Sequence, residues 1–229
     1  MAENTLPKTR LFLVRHGTTT LSAEDRFAGS TDVELSDAGR NEAEALARRL
    51  ATEPLAAVYC SPMRRTVETA AILARPHERA PKTDDGLKEI DHGRWEGKRR
   101  AEVETAFAEE YAAWEADPFT FAPAGGESGL HVMARALPVI RAIVVRHAGA
   151  SVLVVSHKAT IRLVICGLLG FDPRGYRDRL DQDPCCLNIL DFRGPARARL
   201  MLFNDVSHYA AHPAPPERQL SKWWDAARP

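Results

Sequence analysis

The chain has no excess of charge of either sign. Its 31 lysines and arginines are balanced by 31 aspartates and glutamates, so its formal net charge is zero. A balanced chain has no long-range attraction for nucleic acid or for an anionic membrane surface. We therefore expect neither as a partner, although a local group of arginines can still attract a small anion.

Long apolar runs and cysteine frameworks are also missing. The most apolar segment, residues 152–170, is interrupted by His157, Lys158 and Arg162, so it predicts no membrane span. The first eight residues are too polar for a signal peptide. The four cysteines have neither metal-ligand spacing nor a dense disulfide pattern. These absences predict a cytoplasmic protein, and they indicate no metal site.

Apolar runs alternate with helical patterns along the 229 residues. Residues 11–14, 55–59 and 151–155 predict buried strands, and residues 186–192 and 196–203 predict a hairpin near the end. Alternating strands and helices favour an open α/β sheet with parallel strands at its centre. We expect one domain over residues 1–229, with a loosely packed tail after about residue 205.

Cap residues and apolar spacing predict the helices. Ser36 is expected to cap a first helix, and Ser61-Pro62 is expected to open a second. Residues 98–114 form a mostly charged pattern that predicts a third helix. Residues 130–146 predict another helix, which we expect to kink or restart near Pro138.

Three predicted strand ends carry the chemistry. The first strand ends in Arg15-His16, and the last parallel strand ends in Ser156-His157. The middle strand ends just before a helix whose first turn contains Arg64 and Arg65. Parallel strands bring their carboxyl ends to one edge of the sheet, where open α/β sheets bind ligands.

Two histidines beside arginines fit nucleophilic catalysis on a phosphate ester. Neighbouring guanidinium groups keep an imidazole neutral and stabilise charge on the transferring phosphoryl group. A single histidine in such a place is more often a structural hydrogen-bonding group, and we expect Arg64 to point into solvent. Since no carboxylate cluster has metal-ligand spacing, arginines and histidines are expected to replace a metal ion.

The leaving group also needs a proton donor. Residues 84–97 form a loop with several candidate acids, and most acids in such a loop are solvated surface groups. Spacing alone does not choose among four of them, which are Asp85, Glu89, Asp91 and Glu96.

An ordered set of motifs between about residues 10 and 160 resembles the histidine phosphatase superfamily, in its first, phosphoglycerate-mutase-like branch. These motifs are Arg15-His16-Gly17 with Thr19, Arg26 to Ser36 with Gly39, Ser61 to Ala70, Leu87 to Ile90 with Trp95-Glu96-Gly97, Gly126-Glu127-Ser128, and Val155-Ser156-His157. The Arg-His-Gly triplet alone is weak evidence, whereas the ordered set is specific.

The resemblance implies a three-layer α/β/α sandwich with a largely parallel central sheet. It also implies that His16 becomes a phosphohistidine and that Arg15, Arg65 and His157 complete the phosphate pocket. Glu89 would be the general acid that protonates the leaving group and then the base that activates water. No cofactor is implied for a phosphatase of this type.

Three positions depart from the family pattern. Thr18 stands where glutamate is common, Ser22 where many members carry asparagine, and Lys158 where glycine usually follows the second histidine. We assign substrate contacts to Ser22, Gly29 and Lys158. Lys158 could equally face solvent, but we hypothesise that it adds a cation at the pocket rim and favours substrates with a second negative charge.

The preferred function is a metal-independent phosphomonoesterase that acts on a small phosphorylated metabolite. The compact Trp95-Glu96-Gly97 motif resembles the phosphatase type, and residues 98–129 would form a lid over the substrate. The alternatives are a cofactor-dependent phosphoglycerate mutase and, from another class, a binding or regulatory module that has lost catalysis. A homodimer is left open.

Overall fold

The computed structural model describes residues 7–21 and 26–210. Within them the strands are β1 (Lys8–Arg15), β2 (Leu55–Cys60), β3 (Lys82–Thr83), β4 (Ser151–Ser156), β5 (Leu187–Arg193) and β6 (Ala198–Asp205). They form one sheet in the order β3-β2-β4-β1-β5-β6. The first four strands are parallel to one another, and β5 and β6 are antiparallel to their neighbours. The predicted parallel centre and the predicted hairpin are both confirmed.

Helices cover both faces of the sheet. They are α1 (Asp37–Leu50), α2 (Arg64–Ala74), α3 (Arg100–Ala106), α4 (Ala108–Ala116), α5 (Gly129–Arg146), α6 (Lys158–Leu169) and α7 (Tyr176–Arg179). Helices α1 and α2 pack on one face, and α5 and α6 pack on the other. The result is the expected three-layer α/β/α sandwich.

The continuous apolar run in β1 follows from this layering. Phe12 and Val14 point into the core under α1 and α2, while Leu11 and Leu13 point into the core under α5 and α6. Successive strand residues face opposite sides, so a strand buried on both faces is apolar throughout. Burying each such side chain stabilises the fold by about 1.5–3 kcal/mol. The strand is therefore held firmly in the sheet, and the residues that follow it start from a fixed position.

Of the two predicted caps, one is confirmed and one is wrong. Ser36 Oγ accepts a hydrogen bond from Gly39 N at 3.1 Å and caps α1. Helix α2 begins at Arg64, with Met63 at the cap position and no side-chain cap. Ser61 does not cap α2 because the helix begins three residues later, and the Ser61 hydroxyl instead accepts from Met63 N at 3.4 Å and contacts His157 Nε2 at 2.8 Å.

The predicted helix over residues 98–114 is divided into α3 and α4. Phe107, between them, has φ −134° and ψ 46°, so the chain leaves helical geometry for one residue. Apolar spacing does not reveal a break of one residue, because the pattern continues on both sides. Tyr111 and Trp114 pack with Phe27 and Trp95 in a small core of their own.

Two other details differ from the sequence-based expectations. Helix α5 includes Pro138 as a single helix, so the expected restart is wrong. Strand β3 is two exposed residues long and was not predicted, because it has no apolar pattern. No helix within residues 7–21 and 26–210 is long and apolar enough to span a membrane.

Candidate active site

The carboxyl ends of β1 and β4 bring two histidines together. The strands pair in parallel with Arg15 opposite Ser156, and His16 N donates to Ser156 O at 3.0 Å. The residues that follow the two strands are therefore neighbours. The centroids of the His16 and His157 rings lie 5.2 Å apart, with an interplanar angle of 61°. The sheet edge predicted from the sequence is the place where these groups meet.

His16 is held as a neutral imidazole. Its Nδ1 lies 2.8 Å from Gly17 O, and because a carbonyl oxygen can only accept, the proton belongs on Nδ1. Nε2 is left with its lone pair. Burial, with the charges of Arg15 and Arg65, holds the pKa of His16 well below its usual value. A neutral imidazole with a basic Nε2 is a competent nucleophile.

Arg65, at the start of α2, is only 2% exposed and is held at three points. Its Nε donates to His157 Nδ1 at 3.2 Å. Its Nη1 donates to Thr31 O and its Nη2 to Gly29 O, both at 2.8 Å. The neighbouring Arg64 points outward to Glu34, with 64% of its side chain exposed, as expected from the sequence.

His157 is completely buried, and its tautomer is set by two partners. Nδ1 accepts from Arg65, so the proton belongs on Nε2, which lies 2.8 Å from Ser61 Oγ. Burial, followed by the charges of Arg65 and His16, holds the pKa of His157 well below its usual value. The sequence contained one clue to Ser61, because this serine follows a strand that ends at the same edge.

Arg15 contributes a second cation beside His16. Its Nη1 donates to Gln182 O at 2.6 Å, while its Nε is buried and has no hydrogen-bond partner in the described part of the chain. A buried donor without an acceptor is costly. An anion bound at this edge would offset part of that cost.

Glu89 lies at the amino end of α6. Its carboxylate accepts hydrogen bonds from the backbone N–H groups of Ile90, Ala159 and Thr160, at 2.9, 3.1 and 3.2 Å. The Thr160 hydroxyl is also 3.2 Å away. Helix α6 starts directly after His157. The Glu89 carboxylate is therefore hydrogen-bonded to the helix that follows the second histidine.

Glu96, another candidate acid, is occupied by backbone groups. Oε1 accepts from Gly29 N, Ser30 N and His92 N, each at 3.0 Å. Oε2 accepts from Thr31 N at 3.2 Å and from the Thr31 hydroxyl at 2.7 Å. Burial opposes its charge, but these bonds hold the pKa of Glu96 below its usual value. Glu96 thus anchors the loop over residues 29–31 and, unlike Glu89, is not part of the wall of the cleft.

The other two candidate acids are Asp85 and Asp91. Asp85 pairs with Lys88 Nζ at 2.8 Å and is largely exposed. Asp91 Oδ1 accepts from Gly93 N at 2.7 Å. Among the four candidates, Glu89 is the one that lies against the helix following His157.

A cleft of about 730 Å³ opens beside Glu89. Its wall includes Lys88, Asp91 and Arg135 together with residues 125–127. His16 and His157 are not part of this wall.

The three residues assigned to substrate contact have different surroundings. Ser22 lies outside the described residues. Gly29 uses its N–H for Glu96 and its carbonyl for Arg65. Lys158 Nζ lies 3.0 Å from Asp181 Oδ1, so this cation has an acidic partner that the sequence did not suggest.

The chain is similar in sequence to a family of known proteins. The chain matches the description "Histidine phosphatase superfamily (branch 1)" over residues 11–206. It is 35% identical over 163 residues to phosphoserine phosphatase 1 of Hydrogenobacter thermophilus, covering 71% of this chain and 77% of the relative. It is 34% identical over 168 residues to glucosyl-3-phosphoglycerate phosphatase of Mycolicibacterium vanbaalenii, covering 70% and 74%.

Solved structures agree with the sequence relatives. Bacillus stearothermophilus YhfR superposes with a TM-score of 0.82 at 31% sequence identity. The superposition covers 87% of this chain and 98% of that protein.

Proposed function

Since this chain belongs to branch 1 of the histidine phosphatase superfamily, we propose that it hydrolyses phosphate monoesters of small metabolites through a phosphohistidine on His16. One observation carries the proposal. The neutral His16, with its Nε2 lone pair available, lies beside two arginines, and one of them has a buried donor without an acceptor.

The first step is a transfer of the phosphoryl group to His16. Nε2 forms a bond to phosphorus as the bond between phosphorus and the ester oxygen breaks. Arg15 and Arg65 stabilise the negative charge on the phosphoryl oxygens, which is the main requirement of this reaction. We propose that these guanidinium groups make the step independent of a metal ion.

Glu89 supplies and removes the proton. In its acid form it gives a proton to the departing ester oxygen, and the alcohol leaves. In its ionised form it then takes a proton from water, whose oxygen attacks phosphorus and breaks the bond to Nε2. Its place in the wall of the cleft, where the leaving group would lie, supports this assignment.

The substrate class is a small phosphorylated metabolite. The relatives are named for phosphoserine and for glucosyl-3-phosphoglycerate, which are both small phosphate esters. The cleft of about 730 Å³ beside Glu89 has room for a leaving group of that size. Residues 98–129 provide part of its wall through Gly125, Gly126 and Glu127, which supports their role as a lid.

A direct test uses p-nitrophenyl phosphate with and without a chelator. We expect wild-type turnover to be unaffected by the chelator, and rapid acid-free quenching to trap phosphate on the protein. His16→Ala should lose both turnover and trapped phosphate. Arg65→Lys should lower kcat/KM by about 10²-fold, because lysine cannot reproduce the guanidinium geometry.

Arg64→Lys is the matched control for Arg65→Lys and should behave like the wild type, because Arg64 is an exposed neighbour. Turnover that survives in His16→Ala would refute the phosphohistidine, and activity lost with the chelator would refute the metal-free step. Conversion of 3-phosphoglycerate to 2-phosphoglycerate without phosphate release would instead indicate a mutase.

We also propose a cytoplasmic location. The four cysteines are unpaired and buried, which suits a reducing compartment. A homodimer stays a prediction, for which light scattering of the purified protein is the test.

A further inference from the structure

Arg135, on α5, uses all of its side-chain donors within the protein. Its Nε and Nη2 donate to the two carboxylate oxygens of Glu127, both at 2.8 Å. Nη1 donates to Gly86 O at 3.0 Å and to Lys88 O at 2.8 Å, and Nη2 also donates to Glu89 O at 2.9 Å. A guanidinium group has five N–H donors, so none remains for a ligand.

The three carbonyl groups belong to the segment that carries Glu89. Apart from a short helical turn over Asp85–Leu87, this segment has no regular secondary structure to fix its backbone. Carbonyl oxygens in such a segment need partners from elsewhere in the protein. Arg135 supplies three of these bonds within four consecutive residues. Ser156 Oγ donates to Leu87 O and Thr160 Oγ1 to Lys88 O, so Arg135 makes the largest side-chain contribution to the path of the chain into Glu89.

Glu127 holds the guanidinium group in place. Burial opposes the charge of Glu127, but the contact with Arg135 keeps the pKa of its carboxyl below the usual value. Its Oε2 also accepts from Asp91 N at 3.2 Å, on the other side of Glu89. The pair therefore joins both flanks of the proton donor to α5.

We propose that Arg135, held by Glu127, is a positioning residue that aligns Glu89 with the ester oxygen of the substrate. Arg135 lies in the cleft wall, where a cation would ordinarily be interpreted as a binding site for a substrate anion. Its complete set of internal hydrogen bonds argues against that interpretation. The inference rests on the proposed function, because it assigns Arg135 a part in the same reaction.

The leaving group decides how much this alignment matters. An alkyl oxygen leaves as a strong base and needs the proton of Glu89 in the transition state, whereas p-nitrophenolate leaves without one. The value of kcat/KM reports the steps up to phosphoryl transfer, before water attacks. A displaced Glu89 should therefore slow alkyl esters selectively.

The test compares glycerol 2-phosphate with p-nitrophenyl phosphate. Arg135→Lys keeps the positive charge, but a lysine cannot donate to all three carbonyl groups and to Glu127 at once. We expect its kcat/KM to fall about 10²-fold for glycerol 2-phosphate and less than about threefold for p-nitrophenyl phosphate. Glu127→Gln should also lower kcat/KM mainly for glycerol 2-phosphate, but by less than Arg135→Lys does. Glu89→Gln should lower it for the same ester by more.

Arg141→Lys is the control, because Arg141 lies on the exposed side of the same helix. Melting temperatures show whether each variant is folded, and Glu127→Gln decides the question if Arg135→Lys does not fold. Equal losses for both esters in a folded variant would overturn the positioning role. A wild-type protein that hydrolyses neither ester would instead refute the proposed function itself.

Discussion

Lys158 shows how one side chain can bias the choice of substrate. Asp181 Oδ1 lies 3.0 Å from Lys158 Nζ and 2.9 Å from Arg162 Nη2, so one carboxylate serves two cations. Burial alone would raise the pKa of Asp181, yet these cations lower it to about 2. Burial, with the charges of Arg162 and Arg15, lowers the pKa of Lys158 to about 8. With Lys158 protonated, these three side chains carry one net positive charge, and the charge of Arg15 is near enough to affect Lys158.

We predict that Lys158→Gly selectively weakens the turnover of phosphate esters that carry a carboxylate. For such esters kcat/KM should fall about fivefold, the size of a partly screened charge interaction, while esters without a carboxylate stay unchanged. In the wild type this preference should decline as the pH rises through about 8, because Lys158 loses its proton there. A preference that is equal in variant and wild type at every pH would contradict the hypothesis.

The residues found from the sequence share one property. His16, Arg65 and His157 lie at or just after the ends of strands, and the sheet edge follows from chain order alone. Arg135 could not be assigned in this way, and the strand-end position of Ser61 does not reveal which residue it contacts. Their contacts join segments that are 46 and 96 residues apart in sequence, and no local pattern specifies such a pairing.

At the scale of elements, the loop over residues 29–31 connects Glu96 to Arg65. Glu96 accepts from three N–H groups of this loop, whose carbonyls in turn hold Arg65. A Cβ on Gly29 would lie 1.7 Å from Ile90 O, so only glycine fits where the loop passes this close. Glu96 of the Trp95-Glu96-Gly97 motif is thus linked to Arg65 through this loop.

We predict that Glu96→Gln weakens both the fold and the pocket. A glutamine amide would direct N–H donors at backbone N–H groups, which leaves buried donors unpaired. We expect a loss of about 2 kcal/mol in the free energy of unfolding. The inhibition constant of inorganic phosphate should rise about tenfold, because Arg65 loses its support.

The control is Glu34→Gln, which removes an exposed carboxylate paired with Arg64. It should change neither quantity appreciably, since surface ion pairs contribute little. If Glu96→Gln unfolds at the same urea concentration as the wild type and binds phosphate equally well, the anchoring role is wrong.

Some elements could be predicted and others could not, for physical reasons. Strands β1, β2 and β4 are buried on both faces, so their sequences are continuous apolar runs. Strand β3 is exposed and two residues long, and the contacts with β2 that create it are not visible in its own sequence. The cap predicted for α2 is wrong because the helix begins at Arg64, and the Ser-Pro pattern does not reveal that the helix starts three residues after Ser61.

Burial of histidine is a property of the whole molecule. Burial lowers the pKa of six histidines in the described residues, which are His16, His77, His92, His147, His157 and His208. Three of them, His16, His92 and His157, are at most 9% exposed. His16 and His157 directly follow strands β1 and β4 at the carboxyl edge of the sheet, and His92 packs against Phe27.

We predict that acid weakens the fold from about pH 6.5 downward. The pKa values of these three histidines in the folded state lie below the unfolded value of 6.5. Below pH 6.5 the unfolded chain therefore binds protons that the folded protein does not, and the free energy of unfolding decreases as the pH is lowered. Above that pH both states are neutral and the effect disappears. Each buried histidine contributes a slope that approaches about 1.4 kcal/mol per pH unit. The measurement is the free energy of unfolding in urea at pH 7, 6 and 5. Its dependence on pH should be shallower for His16→Asn than for the wild type, by the equivalent of about one bound proton. Identical pH dependences would contradict the assignment of a neutral, buried His16.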